Sequence, residues 1–360
     1  MNFDPGHIER ELAEIQKRSS PTEARTAILN LLVVTDEQSR SRAEQALGAV
    51  LGKRAARVLH ITDSPGQTSD ISLSARCYLD HEHKSVCFQE VLVENGDDGV
   101  GAAPGSWTPL LIRDIPVYVL WLADFTSRSV LLAHVREQAD KLIFDTERAL
   151  AAGDPPHAVR EAVVTPTFAG EYAVSDFSWR RSLPLRRATA HSFDPAERTE
   201  ALSQLRRVEL HGGPRAYGGL YLAWIASRLG WQPASGRDAN SDTDRDGGHQ
   251  GGDRANPEGT VTGRYSDREG RIAETVHQPH EAAEQGLTVS FAFFDRPVFE
   301  LKARSDGCII EPDAQEETAS EHRAAEAFNV PADGQILLQE IDAAGNDPLY
   351  LSALELFAGS

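Results

Sequence analysis

One apolar run, residues 27–35, constrains the fold of this chain more than any other segment. It reads AILNLLVVT and shows no polar alternation, which is typical of a strand covered on both faces in a parallel sheet. Residues 36–51 then carry apolar side chains at helical spacing, and residues 56–63, ARVLHITD, read as a second strand. The start of the chain therefore predicts a strand–helix–strand unit.

The pattern continues as an alternation of strands and helices. Residues 71–94 alternate around DHEHK and predict an antiparallel hairpin, whereas residues 117–122 and 141–145 predict further buried strands. A helix is predicted between these two strands, over residues 129–138. Together they predict an α/β N-terminal domain, residues 1–195, with a mixed, largely parallel sheet.

The second half of the chain has a different character. A strand at 202–211 and a helix at 214–229, begun by Pro214 and ended by Gly230, precede weak strands and two closing helices at 336–341 and 349–357. We predict a smaller α+β C-terminal domain, residues 196–360. Residues 234–258 are almost devoid of large apolar side chains, so we predict a disordered acidic insertion there.

The net charge of the chain limits the kinds of partner that it can bind. The chain has 36 basic and 55 acidic residues, a net charge of −19, which disfavours nucleic acid and anionic lipid surfaces. The N-terminal residues are polar, and no window reaches the length of about 18 apolar residues typical of a membrane span. The odd number of cysteines argues against a secreted disulfide framework. These features predict a cytoplasmic protein.

Motifs for catalysis are absent from the sequence. It contains neither GxxxxGK[ST] nor a GxGxxG after the first strand, where the chain instead reads DEQSRSR. The nucleophile motif GxSxG is also missing. Asp145 follows a predicted strand, a position at which α/β folds often place functional groups. The sequence therefore predicts no cofactor and no catalytic residue, with Asp145 as a minor candidate.

Two cysteines and two histidines flank the predicted hairpin turn, at Cys77, His81, His83 and Cys87. As a zinc site the arrangement is strained, because about 10 Å of strand separates the histidines from the cysteines. Cys77 and Cys87 face each other in this hairpin, so a redox-sensitive pair and two ordinary strand residues both remain open. We predict no metal.

The most distinctive segment is residues 175–194, SDFSWRRSLPLRRATAHSFD. It predicts a helix that kinks or restarts at Pro184. Trp179 and the arginines around the kink are residue types enriched at protein interfaces. A structural connector, with Trp179 in the core, is an equally open interpretation, and an Arg cluster could also bind a phosphorylated ligand.

Several segments together resemble the OpcA family of glucose-6-phosphate dehydrogenase assembly proteins. The similar segments are residues 29–35, Arg57, residues 109–121, residues 139–150, residues 219–231 and the final LLQEIDAAGNDPLYLSAL. The most specific match is to a family pattern D-L-x-W-x-R-x-x-x-W-R followed by F-D. The residues that fit it are Asp176, Trp179, Arg181, Arg186, Phe193 and Asp194, whereas Leu185 replaces the second Trp.

The resemblance implies a non-catalytic assembly factor or allosteric activator. Such a protein would bind glucose-6-phosphate dehydrogenase and promote its active oligomer in the oxidative pentose phosphate pathway. Trp179, Arg181, Arg186 and Asp194 are then the candidate partner-binding residues. The resemblance also implies redox control through Cys77 and Cys87, with thioredoxin as a possible partner. The alternative function is a sugar-phosphate sensor or enzyme that uses the Arg cluster at residues 180–187.

Overall fold

The chain forms two compact units in the computed structural model. The structure describes residues 4–19, 24–25, 27–51, 53–79, 85–168, 172–234, 260–279, 286–294, 298–304, 307–312, 322–324, 330–343 and 345–358. The first unit comprises Met1–Phe177 and Pro331–Asp347, and the second comprises Ser178–Val330 and Pro348–Ser360. In the chain, the border thus falls after Phe177 rather than after the predicted residue 195, and a late helix returns to the first unit.

The helices and strands are numbered along the chain. The helices are α1 (Pro5–Ser19), α2 (Arg40–Gly48), α3 (Pro104–Trp107), α4 (Ser129–Arg136), α5 (Thr146–Ala151), α6 (Pro156–Phe168), α7 (Phe177–Arg181), α8 (Leu183–Ser192), α9 (Ala196–Ala201), α10 (Arg215–Leu229), α11 (Asp333–Asp342) and α12 (Pro348–Ala358). The strands are β1 (Ala24–Arg25), β2 (Leu29–Thr35), β3 (Ala56–Asp63), β4 (Asp70–Leu79), β5 (Ser85–Asn95), β6 (Val117–Trp121), β7 (Lys141–Phe144), β8 (Ala173–Asp176), β9 (Leu205–His211), β10 (Gln232–Pro233), β11 (Val261–Ser266), β12 (Ile272–Gln278), β13 (Leu287–Phe293), β14 (Phe299–Arg304), β15 (Gly307–Pro312) and β16 (His322–Ala324).

The first unit is built on a largely parallel sheet. Its order is β1-β5-β3-β2-β6-β7-β8, and β4 pairs with β5 in an antiparallel hairpin. The pairs from β5 through β8 are all parallel. Numbered along the chain, these six strands lie in the order 3-2-1-4-5-6, which is the order of dinucleotide-binding doubly wound folds. All seven residues of β2 are buried, as the apolar run predicts.

Helices cover both faces of this sheet. On one face, α2 and α11 share a core with the strands, in which Leu31 and Val33 of β2 meet Ile336 and Leu337 of α11. On the other face, α1 contacts β3 and β5: Arg57 forms an ion pair with Glu9 and donates a hydrogen bond to it, and the Gln89 amide donates to Gln16. The apolar face of α11 explains why this late segment joins the first unit.

The second unit is a mixed sheet with helices packed on it. Its order is β10-β11-β12-β9-β13-β14-β15-β16; β9 and β12 pair in parallel, and the other neighbours are antiparallel. The core of this unit joins α8 and α10 to β9, β12 and β13. These two architectures confirm the predicted fold class, an α/β domain followed by a smaller α+β domain.

Helix α10 carries two adjacent glycines because its neighbours approach closely. A Cβ built on Gly218 would lie 2.3 Å from the ring of His277, and one on Gly219 would lie 2.3 Å from the ring of Phe357. Glycine therefore lets α10 pack against β12 and α12 at short range. The helix ends at Gly230, whose φ of 70° is the left-handed conformation that the sequence predicts for a residue past a helix end.

The elements correct the sequence prediction at several places. The sequence did not predict β8, α6, β11 or β12, and the helix that it predicts over residues 175–194 begins later, because Ser175 and Asp176 end β8. The predicted insertion, apart from residue 234, lies outside the described residues. None of the helices in the described part of the chain has the length and apolarity that a bilayer crossing requires.

Candidate functional site

The carboxyl ends of the parallel strands are where a fold of this strand order places its ligand. In this protein a polar residue ends or follows nearly every strand at that edge. These residues are Asp36 after β2, Asp63 in β3, Asn95 in β5, Asp124 beyond β6, Asp145 after β7 and Asp176 in β8. Only Asp145 was identified from the sequence. All six residues share one pattern, a polar residue at the end of an apolar run, and this pattern would have identified them together.

Asp36 lies in the turn that leads into α2. Its Oδ1 accepts hydrogen bonds from the backbone N–H of Ser39 at 2.8 Å and from the Ser39 hydroxyl at 2.7 Å. Its Oδ2 forms an ion pair with Arg148. In dinucleotide-binding folds, the cofactor's pyrophosphate lies at the N-terminus of the helix that follows the first strand. Here the chain's own carboxylate lies at that helix start.

Asp63 stands at the end of β3, the second parallel strand. An acidic residue at this place binds the ribose in dinucleotide-binding folds. In this protein Asp63 forms an ion pair with Arg128, and its Oδ1 also accepts a hydrogen bond from the Asn95 amide at 3.3 Å. The position that would hold a ribose is thus engaged by an arginine of the same chain.

Asp145 and Asp176 have structural partners. Asp145 is the N-cap of α5, accepts a hydrogen bond from the Glu147 backbone N–H at 3.3 Å and pairs with Arg42. Burial opposes the charge of Arg42, but the carboxylates of Asp145 and Asp333 outweigh it, so its pKa is raised. Asp176 is fully buried and accepts hydrogen bonds from the backbone and hydroxyl of Thr146 at 3.1 and 2.7 Å.

A cleft of about 610 Å³ opens at this edge. Five of its lining side chains are carboxylates, and Arg128 and Arg148 are its basic ones. Both arginines form ion pairs with those carboxylates. A pyrophosphate would enter a field of excess negative charge and would meet the Asp36 carboxylate, which already accepts hydrogen bonds from the N-cap residue Ser39. The residues present therefore do not fit a dinucleotide, although the strand order is that of dinucleotide-binding folds.

The distinctive segment of residues 175–194 is the second candidate site. It begins in β8, continues as α7, and restarts as α8 at Leu183, with Pro184 in the first turn of α8. The restart at Pro184 is as predicted. Trp179 is 1% exposed, and its ring lies 5.6 Å from that of Tyr350.

Arg186 stacks on Trp179 inside the second unit. The guanidinium carbon lies 3.4 Å from the centre of the indole ring, which is cation–π geometry. The Nε donates to the Ser182 hydroxyl and an Nη donates to the Trp179 carbonyl, both at 3.1 Å. Arg186 is 6% exposed, so as folded neither it nor Trp179 presents a surface to a partner.

The structure brings only part of the predicted partner-binding set together. Trp179 and Arg186 form one buried pair, whereas Arg181 is half-buried and Asp194 is exposed. The predicted Arg cluster is therefore not one anion site, because Arg186 is engaged by Ser182 and Trp179. Of the four predicted residues, Arg181 and Asp194 remain accessible.

The cysteines lie in the β4–β5 hairpin. Cys77 is disulfide-bonded, and Cys87 is its register partner on the neighbouring strand. His81 and His83, the other members of the predicted cluster, lie outside the described residues. Within the described ranges, no group of three or more metal-ligating side chains is placed to hold a metal ion. A redox role for Cys77 and Cys87 stays a prediction.

Comparison with known proteins gives two family matches. The model described as "Glucose-6-phosphate dehydrogenase subunit N-terminal domain" matches residues 48–163, and the corresponding "C-terminal domain" model matches residues 172–354. Among solved structures, biliverdin reductase from Synechocystis aligns over 92% of this chain and 97% of its own length, with a TM-score of 0.45 and 10% identity. That degree of likeness carries no argument about function.

Two cyanobacterial relatives share the family name. A protein named "Putative OxPP cycle protein OpcA" from Synechocystis is 28% identical over 178 residues, which is 48% of this chain and 36% of the relative. Its namesake from Synechococcus elongatus is 27% identical over 154 residues, 42% of this chain and 34% of the relative. The chain thus matches about a third of the length of these relatives. Since the C-terminal model alone spans more than half of the chain, this protein belongs to the OpcA family.

Proposed function

We propose that this protein is a non-catalytic assembly factor and allosteric activator of glucose-6-phosphate dehydrogenase. The observation that carries the proposal is the family membership, in which both halves of the chain match models described as subunit domains of that enzyme. The name of the relatives, an OxPP cycle protein, supports a place in the oxidative pentose phosphate pathway. The partner is then the dehydrogenase, in the cytoplasm.

The sheet edge supports the non-catalytic part of the proposal. A protein that carried out hydride transfer with this strand order would need room for a pyrophosphate at the start of α2. Asp36 fills that place and Arg128 engages Asp63. The chemistry therefore belongs to the partner, and this chain contributes binding energy.

The accessible residues of the segment 175–194 are the proposed contact. Arg181 and Asp194 carry opposite charges, and both reach solvent at least in part. The stack of Arg186 on Trp179 fixes the turn between α7 and α8, which directly follows Arg181 in the chain. Arginine at an interface offers several donors in a planar fork, and this suits recognition of a carboxylate on a partner.

Activation requires a difference in affinity. The protein must bind the competent form of the dehydrogenase more tightly than the incompetent form, and the ratio of the two affinities sets the largest activation. A tenfold increase in the competent population from a small starting fraction needs about 1.4 kcal/mol of differential binding. A few accessible charged contacts can supply that amount.

The test is a titration of glucose-6-phosphate dehydrogenase from the same organism at low substrate. We expect saturable activation by the wild-type protein. In the double variant Arg181→Ala, Asp194→Asn we expect the concentration for half-maximal activation to rise about tenfold. Arg10→Ala, at an exposed arginine of α1, is the matched control and should activate like the wild type.

Two other outcomes of this titration would change the proposal. If the wild type gives no activation, the assembly function is wrong. If the double variant and the control both match the wild type, the protein activates through a surface other than Arg181 and Asp194. A far-UV circular dichroism spectrum of each variant verifies that it is folded.

A further inference from the structure

A groove lies on the face of the first sheet that α2 and α11 cover. The crossover from β3 to β5 runs through strand β4 rather than through a helix. In a doubly wound fold, such a crossover normally brings a helix onto the sheet. Beside α2, the outer strands β4 and β5 thus carry side chains that border a cavity of about 490 Å³.

Register places the lining side chains on one face. Ser72 pairs with Leu92, and Ser74 pairs with Glu90 in the β4–β5 ladder, while Leu92 pairs with His60 across β5 and β3. Side chains directly opposite one another point to the same face of a sheet. The contacts from α1 use Arg57 and Gln89. In their strands these two residues are an odd number of positions from His60 and Leu92, so their side chains lie on the opposite face of the sheet.

His60 closes the inner end of the groove. It is 1% exposed and lines the cavity. Its Nε2 shares a hydrogen bond with the Thr35 hydroxyl at 2.9 Å, whereas its Nδ1 has no hydrogen-bond partner among the described residues. Burial, reinforced by the charge of Arg40, lowers its pKa from 6.5 to about 4, so the ring is neutral at pH 7. A buried ring nitrogen without a partner is costly, and a ligand hydroxyl could supply the missing hydrogen bond.

The remaining lining is half polar and half apolar. Ser72 and Ser74 offer hydroxyls, and the Ser74 hydroxyl donates to Glu90 at 3.2 Å. Leu47 of α2 and Leu51, which follows the end of that helix, form an apolar wall of the same groove. A cavity of this size, which combines an apolar wall with several convergent polar groups, suits a small molecule.

We propose that this groove binds a neutral, hydroxyl-rich small molecule, such as a sugar ring or a polyol. Hydroxyl groups both donate and accept, and so can satisfy Glu90, the two serines and the His60 Nδ1 together. The apolar edge of such a ring packs on Leu47 and Leu51. Glu44 and Glu90 line the same groove with Arg76, so its charged lining is net negative and disfavours an anion such as a sugar phosphate.

The site does not depend on the proposed function, because every residue in it belongs to this chain. We therefore test it without the dehydrogenase, by saturation-transfer NMR and calorimetry on the full chain. The probes are D-glucose and myo-inositol, with glucose 6-phosphate as the charged analogue of the first. We expect a signal from at least one neutral probe and a weaker one from glucose 6-phosphate.

Two matched variants locate the signal. Gly48 lines the groove and has open space where a Cβ would lie, so Gly48→Phe should fill the groove and raise the Kd of the neutral probe at least about tenfold. Gly105, also helical with open space, is not among the lining residues, and Gly105→Phe should leave the Kd unchanged. His60→Gln should also weaken binding.

Three results overturn the proposal. The first is that neither D-glucose nor myo-inositol gives a signal. The second is equal binding by Gly48→Phe and the wild type, and the third is tighter binding of glucose 6-phosphate than of glucose. A thermal melt of each variant shows that the fold is retained.

Discussion

The carboxyl edge of the first sheet and the Trp179–Arg186 stack of the second unit both differ from what would be expected of them. A ligand site is expected at the edge, and a partner-binding surface is expected at the stack. The segment with the most interface-like sequence holds its Trp and one of its arginines in the interior. The edge where doubly wound folds bind ligands is filled by ion pairs of the chain itself. Residue type alone therefore does not separate function from structure, because the same arginine can reach a partner or stack on a neighbouring ring.

The difference also shows how each region uses charge. In the stack, the guanidinium of Arg186 is buried, and burial makes its contacts with the indole face, the Trp179 carbonyl and the Ser182 hydroxyl costly to lose. At the sheet edge, the charges border an open cleft, and solvent weakens each pair. We thus expect substitutions in the stack to cost more stability than substitutions at the edge.

The largest effect is expected for Trp179→Ala. Removing a fully buried indole leaves a cavity and deprives Arg186 of its ring, so the free energy of unfolding should fall by about 3–5 kcal/mol. Urea denaturation measures it, and Trp179→Phe, which keeps an aromatic ring, should cost clearly less. A loss below about 1 kcal/mol would mean that the indole is not part of the core.

The pH dependence of stability should show the buried His60. Its pKa is lowered from 6.5 to about 4, so between these values the unfolded chain binds a proton that the folded chain does not. The free energy of unfolding should therefore fall as the pH is lowered from 6.5 towards 4, by about 3 kcal/mol for this residue. Burial also lowers the pKa of His277, so this residue likewise makes the free energy of unfolding fall as the pH is lowered.

The comparison of wild type with His60→Gln isolates this contribution, since the carboxylates titrate alike in both proteins. Urea denaturation at several pH values should give a shallower loss for the variant. Parallel curves for the two proteins would contradict the burial of a neutral imidazole at this position.

A smaller effect is expected at the sheet edge, for Asp36→Ala. The change removes the hydrogen bonds to Ser39 and the pair with Arg148, and should lower the free energy of unfolding by about 1 kcal/mol. Glu37→Ala, at the neighbouring exposed carboxylate, is the control and should be neutral within about 0.5 kcal/mol. A cost for Asp36→Ala as large as that for Trp179→Ala would erase the contrast between edge and stack.

The smallest effect is expected from NADP⁺ itself. A ligand at 100 times its Kd would raise the free energy of unfolding by about 2.7 kcal/mol. Because the edge already holds Asp36 and the Asp63–Arg128 pair, we expect no shift of the melting temperature with NADP⁺ or NADPH. A saturable shift would show that the cleft accepts a dinucleotide after all.

Much of the first unit could be predicted from its sequence. Residues 56–63 are predicted as a strand and form β3 with those bounds. The apolar run that ends at residue 35 forms β2, because a parallel strand buried on both faces is a nearly continuous apolar run. Strand β8 was missed, since it is short and merges with the helical segment that follows it. The placement of α11 could not be predicted, because it depends on an apolar face that packs on strands far away in the sequence.

The site was less predictable than the fold. The sequence identifies Trp179 and Arg186 as distinctive, and it left open whether they form an interface or a core. Only the structure shows the guanidinium on the indole ring. The groove beside α2 was not predicted either, because His60 is one polar residue of a buried strand and meets Ser72, Glu90 and Leu47 only through strand pairing and helix packing.

The most direct test of the central claim is sedimentation velocity of glucose-6-phosphate dehydrogenase from the same organism, alone and mixed with this protein. The account predicts that the two proteins sediment together and that the dehydrogenase shifts to a larger oligomer as this protein is added. Independent sedimentation of the two proteins, with the oligomer distribution of the dehydrogenase unchanged, would contradict it.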